Sequence, residues 1–245
     1  MILAAAQISP FRNNTDANIQ RHLLFIDRAA ENKARLILFP EMSLTGYERE
    51  GADELSFLID DARLHIFAEK ARQHQLVIVV GAPIKIKGRL YIGAFVFSGD
   101  QGPLVYTKQF LHTGEEKYFS PGTDHNPLLE MDNEKISIAI CADISNARHA
   151  ANAAKNKTTL YLASIFYTPG GIDKGLEDLF DYSKKHRMKV LMANYCGNSY
   201  DLEGGGQSAF WDDKGAMKGK LDAGSEGLLL VERKNDSWHT HKVNI

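Results

Sequence analysis

Three side chains with reactive chemistry each follow a short apolar run of the sequence. Glu41 closely follows residues 36–39, Lys108 follows a shorter run, and Cys141 follows residues 136–140. Such runs predict buried strands, and strand ends in α/β sheets are where reactive sites are usually built. A carboxylate, an amine and a thiol are therefore candidates for a common site at one edge of a sheet.

Together these groups have the chemistry of acyl transfer. A thiol is a good nucleophile only as its thiolate, and a neighbouring carboxylate can take its proton as general base. An ammonium group stabilises both the thiolate and the oxyanion that forms on a carbonyl under attack. The combination predicts a thioester on Cys141 that water then hydrolyses.

Each of the three residues also has an ordinary structural interpretation. A lone cysteine such as Cys141 is more often a small buried apolar residue than a nucleophile. Glu41 is also compatible with a helix cap or an arginine partner, and Lys108 with a solvated surface residue. Residue types and strand ends alone leave these alternatives open.

The composition is that of an ordinary globular protein. The chain has 245 residues, of which 44% are hydrophobic and 24% charged, and we expect one domain over residues 1–245. The net charge is −2, without a basic block or an acidic tail. This pattern argues against nucleic acid and against an anionic membrane surface as partners.

The two cysteines and the first residues bear on location. Cys141 and Cys196 are the only cysteines, which argues against a disulfide scaffold and favours a reducing cytoplasm. The apolar start of the chain lacks a basic residue and is too short for a signal peptide or a membrane span. We interpret it as a first buried strand and expect a cytoplasmic protein.

Strand-like and helix-like segments alternate along the chain, which predicts an α/β fold with an antiparallel share. The predicted strands are 2–9, 36–39, 76–80 (ending at Gly81), 89–98, 104–106, 136–140, 159–163, 190–193, 208–211 and 227–231. The first predicted helix is capped within residues 13–16 and ends at about residue 33. The other predicted helices span residues 60–74, 147–155 and 176–187. A turn at 99–102 joins two of the strands.

Three longer motifs carry a family resemblance. "LILFPEMSLTGY", "VYTKQFLHTGEEKYFSPG" and "ISIAICADIS" resemble, in order, the three motifs of the nitrilase superfamily of carbon–nitrogen hydrolases. The resemblance covers almost the whole chain and implies an α/β fold in which helices and mixed β-sheets form a four-layer α-β-β-α sandwich. It also implies Glu41 as general base, Lys108 as oxyanion stabiliser and Cys141 as nucleophile.

The resemblance implies further site residues. A second glutamate orients the lysine or the substrate in this family. Glu115, seven residues before Gly122, fits that place better than Glu116. The backbone N–H of Ala142 would be a second oxyanion donor, held by a strained turn at the nucleophile.

Several other residues are candidates for contact with substrate. "LMANYCGN" resembles a later family segment and makes Asn194 a candidate, whereas Ser208 and Cys196 have a structural interpretation. Tyr47, Tyr118 and Phe166 are candidates for lining the pocket, with core packing as the alternative. The segment 164–173 contains two glycines and a proline and is a candidate loop for substrate selection.

The sequence after the nucleophile differs from that of true nitrilases, which usually carry Trp-Glu there. Cys141-Ala142-Asp143 resembles the amidase and carbamoylase branches instead. This favours a small linear amide or N-carbamoyl substrate over a nitrile. Many members carry a Pro-Glu step and then an arginine after the nucleophile. This chain lacks the Pro-Glu step, so the resemblance does not assign the place of that arginine to Arg148.

No motif indicates a cofactor or a metal, because His-x-x-x-His, paired-cysteine and GxGxxG patterns are missing. In the family, a C-terminal segment often crosses to a partner subunit, so residues 238–245 predict a homodimer or higher homo-oligomer. The alternatives to a hydrolase are an acyltransferase, a catalytically silent binding or scaffold protein, and a redox protein that uses Cys141 and Cys196.

Overall fold

A computed structural model describes residues 1–99, 102–235 and 237–245. Its strands are β1 (Ile2–Gln7), β2 (Leu36–Leu38), β3 (Val77–Ile86), β4 (Arg89–Phe97), β5 (Leu104–Thr107), β6 (Leu129–Met131), β7 (Glu134–Ile140), β8 (Leu160–Ser164), β9 (Lys189–Ala193), β10 (Cys196–Ser199), β11 (Leu202–Gly205), β12 (Ala209–Trp211), β13 (Met217–Lys220), β14 (Gly227–Lys234) and β15 (Ser237–Asn244). Its α-helices are α1 (Thr15–Glu31), α2 (Ala52–Leu55), α3 (His65–His74), α4 (Ala147–Lys155) and α5 (Ile172–His186).

The strands form two large mixed sheets and one hairpin. One sheet has the order β15-β14-β1-β2-β3-β4-β5, the other has the order β13-β12-β9-β8-β7-β6, and β10 pairs with β11. The pairs β1–β2, β2–β3, β7–β8 and β8–β9 are parallel. The other strand pairs within the two large sheets are antiparallel.

The core explains why the central strands are apolar on both faces. Alternate residues of β1 point to opposite sides of the sheet. Leu3 and Ala5 belong to a buried cluster with Ile138 of the second sheet, and Ala4 belongs to another with Phe25 of α1. Helices α1 and α3 cover the outer face of the first sheet, and α5 packs on the second together with α4. The predicted α-β-β-α sandwich is confirmed.

The cap of α1 lies within the predicted segment. The Asn14 side chain accepts a hydrogen bond from the backbone N–H of Ala17, as expected of an N-cap residue. Along the face of α1 that packs on the sheet, Ile19 and Ile26 are buried and Leu23 is partly buried.

The predicted end of the third strand at Gly81 is wrong, because β3 continues to Ile86. Beyond Val79 the strand no longer pairs with β2; it pairs with β4 and forms a single parallel bridge from Ile84 to Phe57. The Pro83 carbonyl accepts a hydrogen bond from Phe57 on the side away from β4. The proline therefore removes no N–H that the β3–β4 ladder needs.

The short strands β6, β10, β11 and β13 and the tail were not predicted as strands. Residues 237–244 form β15, which pairs with β14 along its whole length as an edge strand of the chain's own sheet. The predicted homo-oligomer stays a prediction. The predicted turn at 99–102 includes residues 100 and 101, which lie outside the described residues. None of the described helices is long and apolar enough to cross a membrane.

Candidate active site

The three predicted residues come together, although they do not share one sheet edge. Glu41 follows β2 and Lys108 follows β5, both in the seven-stranded sheet, whereas Cys141 follows β7 in the six-stranded sheet. The expectation of a single sheet edge is therefore wrong. The site lies where the ends of strands from two facing sheets meet.

Lys108 lies at the centre of the site and is completely buried. Its Nζ donates to Glu41 Oε1 at 2.7 Å and to both carboxylate oxygens of Glu115 at 2.8 Å. Burial lowers the pKa of Lys108, but the charges of Glu41, Cys141 and Glu115 outweigh this and raise the pKa above its ordinary value. The side chain is therefore a buried ammonium ion and not a solvated surface residue.

Glu115, and not Glu116, lies beside the lysine. Besides Lys108, its carboxylate accepts hydrogen bonds from the Tyr47 hydroxyl at 2.7 Å and from the His112 backbone N–H at 2.8 Å. Glu116 is exposed and accepts a hydrogen bond from a nearby backbone N–H. Four donor contacts fix the Glu115 carboxylate, which in turn fixes the lysine.

Glu41 has the properties of a base that works near neutral pH. Burial raises the pKa of Glu41 to about 7, against a lowering effect of Lys108 and a smaller raising effect of Glu115. Its Oε2 is buried and makes no hydrogen bond within the described part of the chain. Cys141 lies near enough for its thiol to lower the pKa of Glu41. One carboxylate oxygen therefore holds the lysine while the other remains available for a proton.

Cys141 occupies a strained turn, as the resemblance implied. Its φ of 42° lies in the left-handed region, which costs a residue other than glycine about 1–3 kcal/mol. Its Sγ lies 3.9 Å from the Phe166 carbonyl oxygen. Burial and the charge of Glu41 raise the pKa of Cys141 well above its ordinary value, and Lys108 offsets only part of this. The resting group is a neutral thiol, so the proton has to leave during the attack.

Asp143 ties the cysteine turn to the lysine turn, a role that the sequence did not reveal. Its buried carboxylate accepts backbone hydrogen bonds from Gln109 at 2.9 Å and from Phe110 at 2.8 Å, just after the lysine. It also accepts one from Ile140 at 2.9 Å, just before the cysteine. A single side chain thus holds the ends of strands from both sheets in register.

Gly81 makes room for the turn that carries Glu41. A Cβ atom on Gly81 would lie 2.4 Å from the Pro40 carbonyl oxygen and 2.5 Å from the Met42 backbone nitrogen. Both atoms belong to backbone that flanks Glu41, so they cannot move aside as a flexible side chain would. A glycine is required here because two segments of backbone approach closely.

Gly81→Ala is therefore expected to displace Glu41 and to lower turnover by about 10- to 100-fold. We also expect a loss of about 1–3 kcal/mol in the free energy of unfolding from overpacking. Amide turnover and urea unfolding measure the two effects. Gly102→Ala is the matched control, since its added Cβ has open space. Wild-type turnover in Gly81→Ala would contradict this account of how Glu41 is positioned.

A cavity of about 500 Å³ opens onto Cys141 and Ala142. The predicted pocket residues Tyr47 and Phe166 line it, with their ring centroids 4.8 Å apart. The prediction of Tyr118 is wrong, because this side chain is exposed and lies outside the lining. The predicted selection loop contributes Thr168 and its neighbours to the wall. The volume is in the range for a small-molecule site.

Asn194 does not line this cavity. Its buried side chain accepts from the Tyr167 backbone N–H at 2.9 Å and donates to the Gly206 carbonyl at 2.7 Å. Ser208 in turn accepts a hydrogen bond from the Asn194 backbone at 3.0 Å. These contacts hold the cavity loop, so the placement does not support substrate contact by Asn194. Arg148 is exposed and lies outside the lining of the cavity.

Several lining residues were missed in the sequence, namely Arg49, His112, Ser145 and Lys174. His112 and Ser145 lie within two of the quoted motifs, and Arg49 and Lys174 lie within two residues of the first motif and of the predicted loop, respectively. Their residue types are common on protein surfaces, so only their direction in space separates them from solvated neighbours.

Neither a metal site nor a disulfide is found in the described part of the chain. Across residues 1–99, 102–235 and 237–245, no group of three or more His, Cys, Asp or Glu side chains is placed to hold a metal ion. Cys141 and Cys196 are both free and buried.

Comparison with known proteins defines the family. The carbon-nitrogen hydrolase family matches residues 2–242. An amidase from Nesterenkonia sp. has a similar structure, with a TM-score of 0.85 and 24% identity over 96% of this chain and 92% of the amidase. The chain belongs to the carbon–nitrogen hydrolase family, which confirms the predicted nitrilase-superfamily membership and fold.

Two relatives show the range of named activities. The chain is 28% identical to a glutamine-dependent NAD(+) synthetase of Acinetobacter baylyi, over 94% of this chain and 43% of that protein. It is 24% identical to a 2-oxoglutaramate amidase of Bacillus subtilis, over 88% of this chain and 83% of that protein. The chain thus spans less than half the length of the synthetase that it matches.

Proposed function

We propose that this chain hydrolyses the C–N bond of a small linear amide or N-carbamoyl compound through a thioester on Cys141. The observation that carries the proposal is the buried Lys108 ammonium, bonded to Glu41 and Glu115 beside a strained cysteine that opens into the cavity. The named activity of the 2-oxoglutaramate amidase relative supports an amide substrate, as does the glutamine dependence of the synthetase.

In the first half of the reaction, Cys141 Sγ attacks the carbonyl carbon while Glu41 takes the thiol proton. The carbonyl π electrons move to oxygen, where the Lys108 ammonium and the Ala142 N–H stabilise the negative charge. The tetrahedral intermediate then collapses, the C–N bond breaks, and Glu41 delivers its proton to the leaving nitrogen. Ammonia leaves from a simple amide, and the acyl group remains as a thioester.

In the second half, water attacks the thioester carbon and Glu41 takes its proton. The new tetrahedral intermediate collapses with loss of the Cys141 thiolate, which regains its proton from Glu41. The product is the free acid, and the enzyme returns to its neutral-thiol state. Each proton that Glu41 takes in a step is given back in the same half-reaction.

Lys108 needs an N–H group for the oxyanion. In the structure its three N–H groups face three carboxylate oxygens, two of which belong to Glu115. Redirecting one N–H from Glu115 to the substrate oxygen keeps one bond to each glutamate. Because Glu115 accepts hydrogen bonds from Lys108 through both carboxylate oxygens, Lys108 can release one of these N–H groups for the substrate without leaving either buried carboxylate unpaired.

The pH dependence follows from Glu41. With the pKa of Glu41 raised to about 7, this base is protonated and inactive at lower pH. The pKa values of Cys141 and Lys108 are both raised, so neither group changes charge there. We expect kcat/KM to rise about tenfold per pH unit up to pH near 7 and then to level off. A flat profile from pH 5 to 8 would contradict Glu41 as the base.

The proposal is tested with a panel of small amides, ureido acids and nitriles. Ammonia and free acid are quantified for each compound, including butyramide, which a variant of the Nesterenkonia amidase binds. We expect equal amounts of ammonia and acid from amides, or equal amounts of ammonia, carbon dioxide and amino acid from ureido acids, and no ammonia from nitriles. Product amides formed in place of acid, when an amine is added, would point to the acyltransferase alternative. No turnover across the panel would contradict the proposal.

A further inference from the structure

Arg49 lines the same cavity as Cys141 and is held in a defined orientation. Its guanidinium carbon lies 4.3 Å from the ring centroid of Tyr200 and 6.0 Å from that of Tyr47. Stacking on aromatic faces fixes the plane of a guanidinium group. The Tyr200 hydroxyl is also a hydrogen-bond partner of Arg49. The Arg49 Nε is buried and has no hydrogen-bond partner among the described residues.

No carboxylate of the described residues forms a salt bridge with Arg49. The adjacent Glu50 is occupied, since its carboxylate accepts hydrogen bonds from the hydroxyls of Tyr118 and Tyr200. Burial lowers the pKa of Arg49, but Tyr200, Tyr47 and Glu50 together raise it above its ordinary value. Arg49 is therefore a permanent cation with a buried N–H, an arrangement that costs free energy unless a ligand satisfies it.

A second cation on the cavity wall is already paired. Lys174, in the first turn of α5, binds Asp178 and lies 3.4 Å from Glu177. Gly171 and Gly175 of the same helix end also line the cavity, and the N-terminus of a helix adds partial positive charge. The Asp178 carboxylate also lines the cavity, but it is paired with Lys174. Arg49 is therefore the cation placed to bind a negative group.

We propose that Arg49 binds a carboxylate at the far end of the substrate, so that the preferred substrates are monoamides of short dicarboxylic acids. This inference rests on the proposed amide hydrolysis at Cys141 and narrows its substrate class. The planar guanidinium donates two parallel hydrogen bonds to a carboxylate, which fixes the distance to the reacting amide. A cavity of about 500 Å³ holds both groups and a short carbon chain between them.

The test compares three amides that differ only in charge at the far end. Glutaramate carries a carboxylate, 5-methylhexanamide carries an isopropyl group of similar shape, and 5-aminopentanamide carries an ammonium group. For wild type we expect kcat/KM for glutaramate to exceed that for 5-methylhexanamide at least about tenfold, with 5-aminopentanamide the poorest. Because this ranking needs no variant, it does not depend on whether a mutant folds.

Variants assign the preference to Arg49. In Arg49→Gln we expect the ratio of kcat/KM for glutaramate over 5-methylhexanamide to fall at least about tenfold, and Arg49→Lys to recover part of it. Arg63→Gln is the control, since Arg63 also stacks on an aromatic ring, that of Phe57 at 3.9 Å, but lies outside the lining of the cavity. Its ratio should stay within about threefold of wild type.

The outcomes separate the two proposals. Hydrolysis of all three amides without charge preference would overturn the role of Arg49 and leave amide hydrolysis standing. A preference for glutaramate that persists in Arg49→Gln would also overturn it. Turnover of none of the three would overturn the proposed function and this inference with it.

Discussion

Replacing Cys141 by alanine is expected to lower kcat/KM for amide hydrolysis by at least about 10⁴-fold, because no other group can form the acyl-enzyme. The fold should survive, since the exchange removes one sulfur atom from a turn held by backbone contacts and by Asp143. Ammonia release from the best amide of the panel, compared with wild type under the same conditions, measures the effect.

Cys196→Ala is the matched control for this variant. Cys196 is also a free, buried cysteine, but it begins β10 and does not line the cavity. We expect its turnover to stay within about threefold of wild type, because the reaction does not involve this thiol. Equal losses in both variants would mean that the loss reflects packing and not nucleophilic attack.

Lys108→Met is expected to lower kcat by about 10²- to 10³-fold, because it removes the charged oxyanion donor. It also leaves the buried carboxylates of Glu41 and Glu115 without their shared cation. Removing one partner of a buried ion pair costs about 3–5 kcal/mol, so the free energy of unfolding at neutral pH should fall by that order. Turnover and urea unfolding are measured on the same preparation.

Two further variants separate the catalytic effect of Lys108 from its structural effect. The double variant Lys108→Met with Glu115→Gln removes one of the unpaired charges, so we expect it to recover stability but not turnover. Lys117→Met, at an exposed lysine a few residues away, should change neither. Recovery of turnover in the double variant would contradict Lys108 as the oxyanion donor.

The sequence predicted the parts of the site that depend on local pattern. Apolar runs located the strands before Glu41 and Cys141, and the motif resemblance brought Lys108 and Glu115 into the same site. The order of the layers also followed from the resemblance. In the structure, the buried contacts of Lys108 connect these residues directly.

The rest depends on contacts between segments that are distant in sequence. Asp143 holds backbone more than thirty positions away, and Gly81 is needed only because the Glu41 turn crosses it. Arg49 is one of several charged residues after the first motif, and nothing local shows that it faces the cavity. The strand through Pro83 was missed because it tolerates proline only where the position faces away from the β4 ladder, which the local sequence does not show.

The most direct test of the central claim is a rapid-quench measurement with butyramide, in which ammonia, acid and the mass of the protein are followed in the first turnover. The account predicts that ammonia appears before the acid, together with a butyryl group on the peptide that contains Cys141. This adduct should disappear on treatment with hydroxylamine and should be missing in Cys141→Ala. Simultaneous release of ammonia and acid without an adduct, with turnover retained in Cys141→Ala, would contradict it.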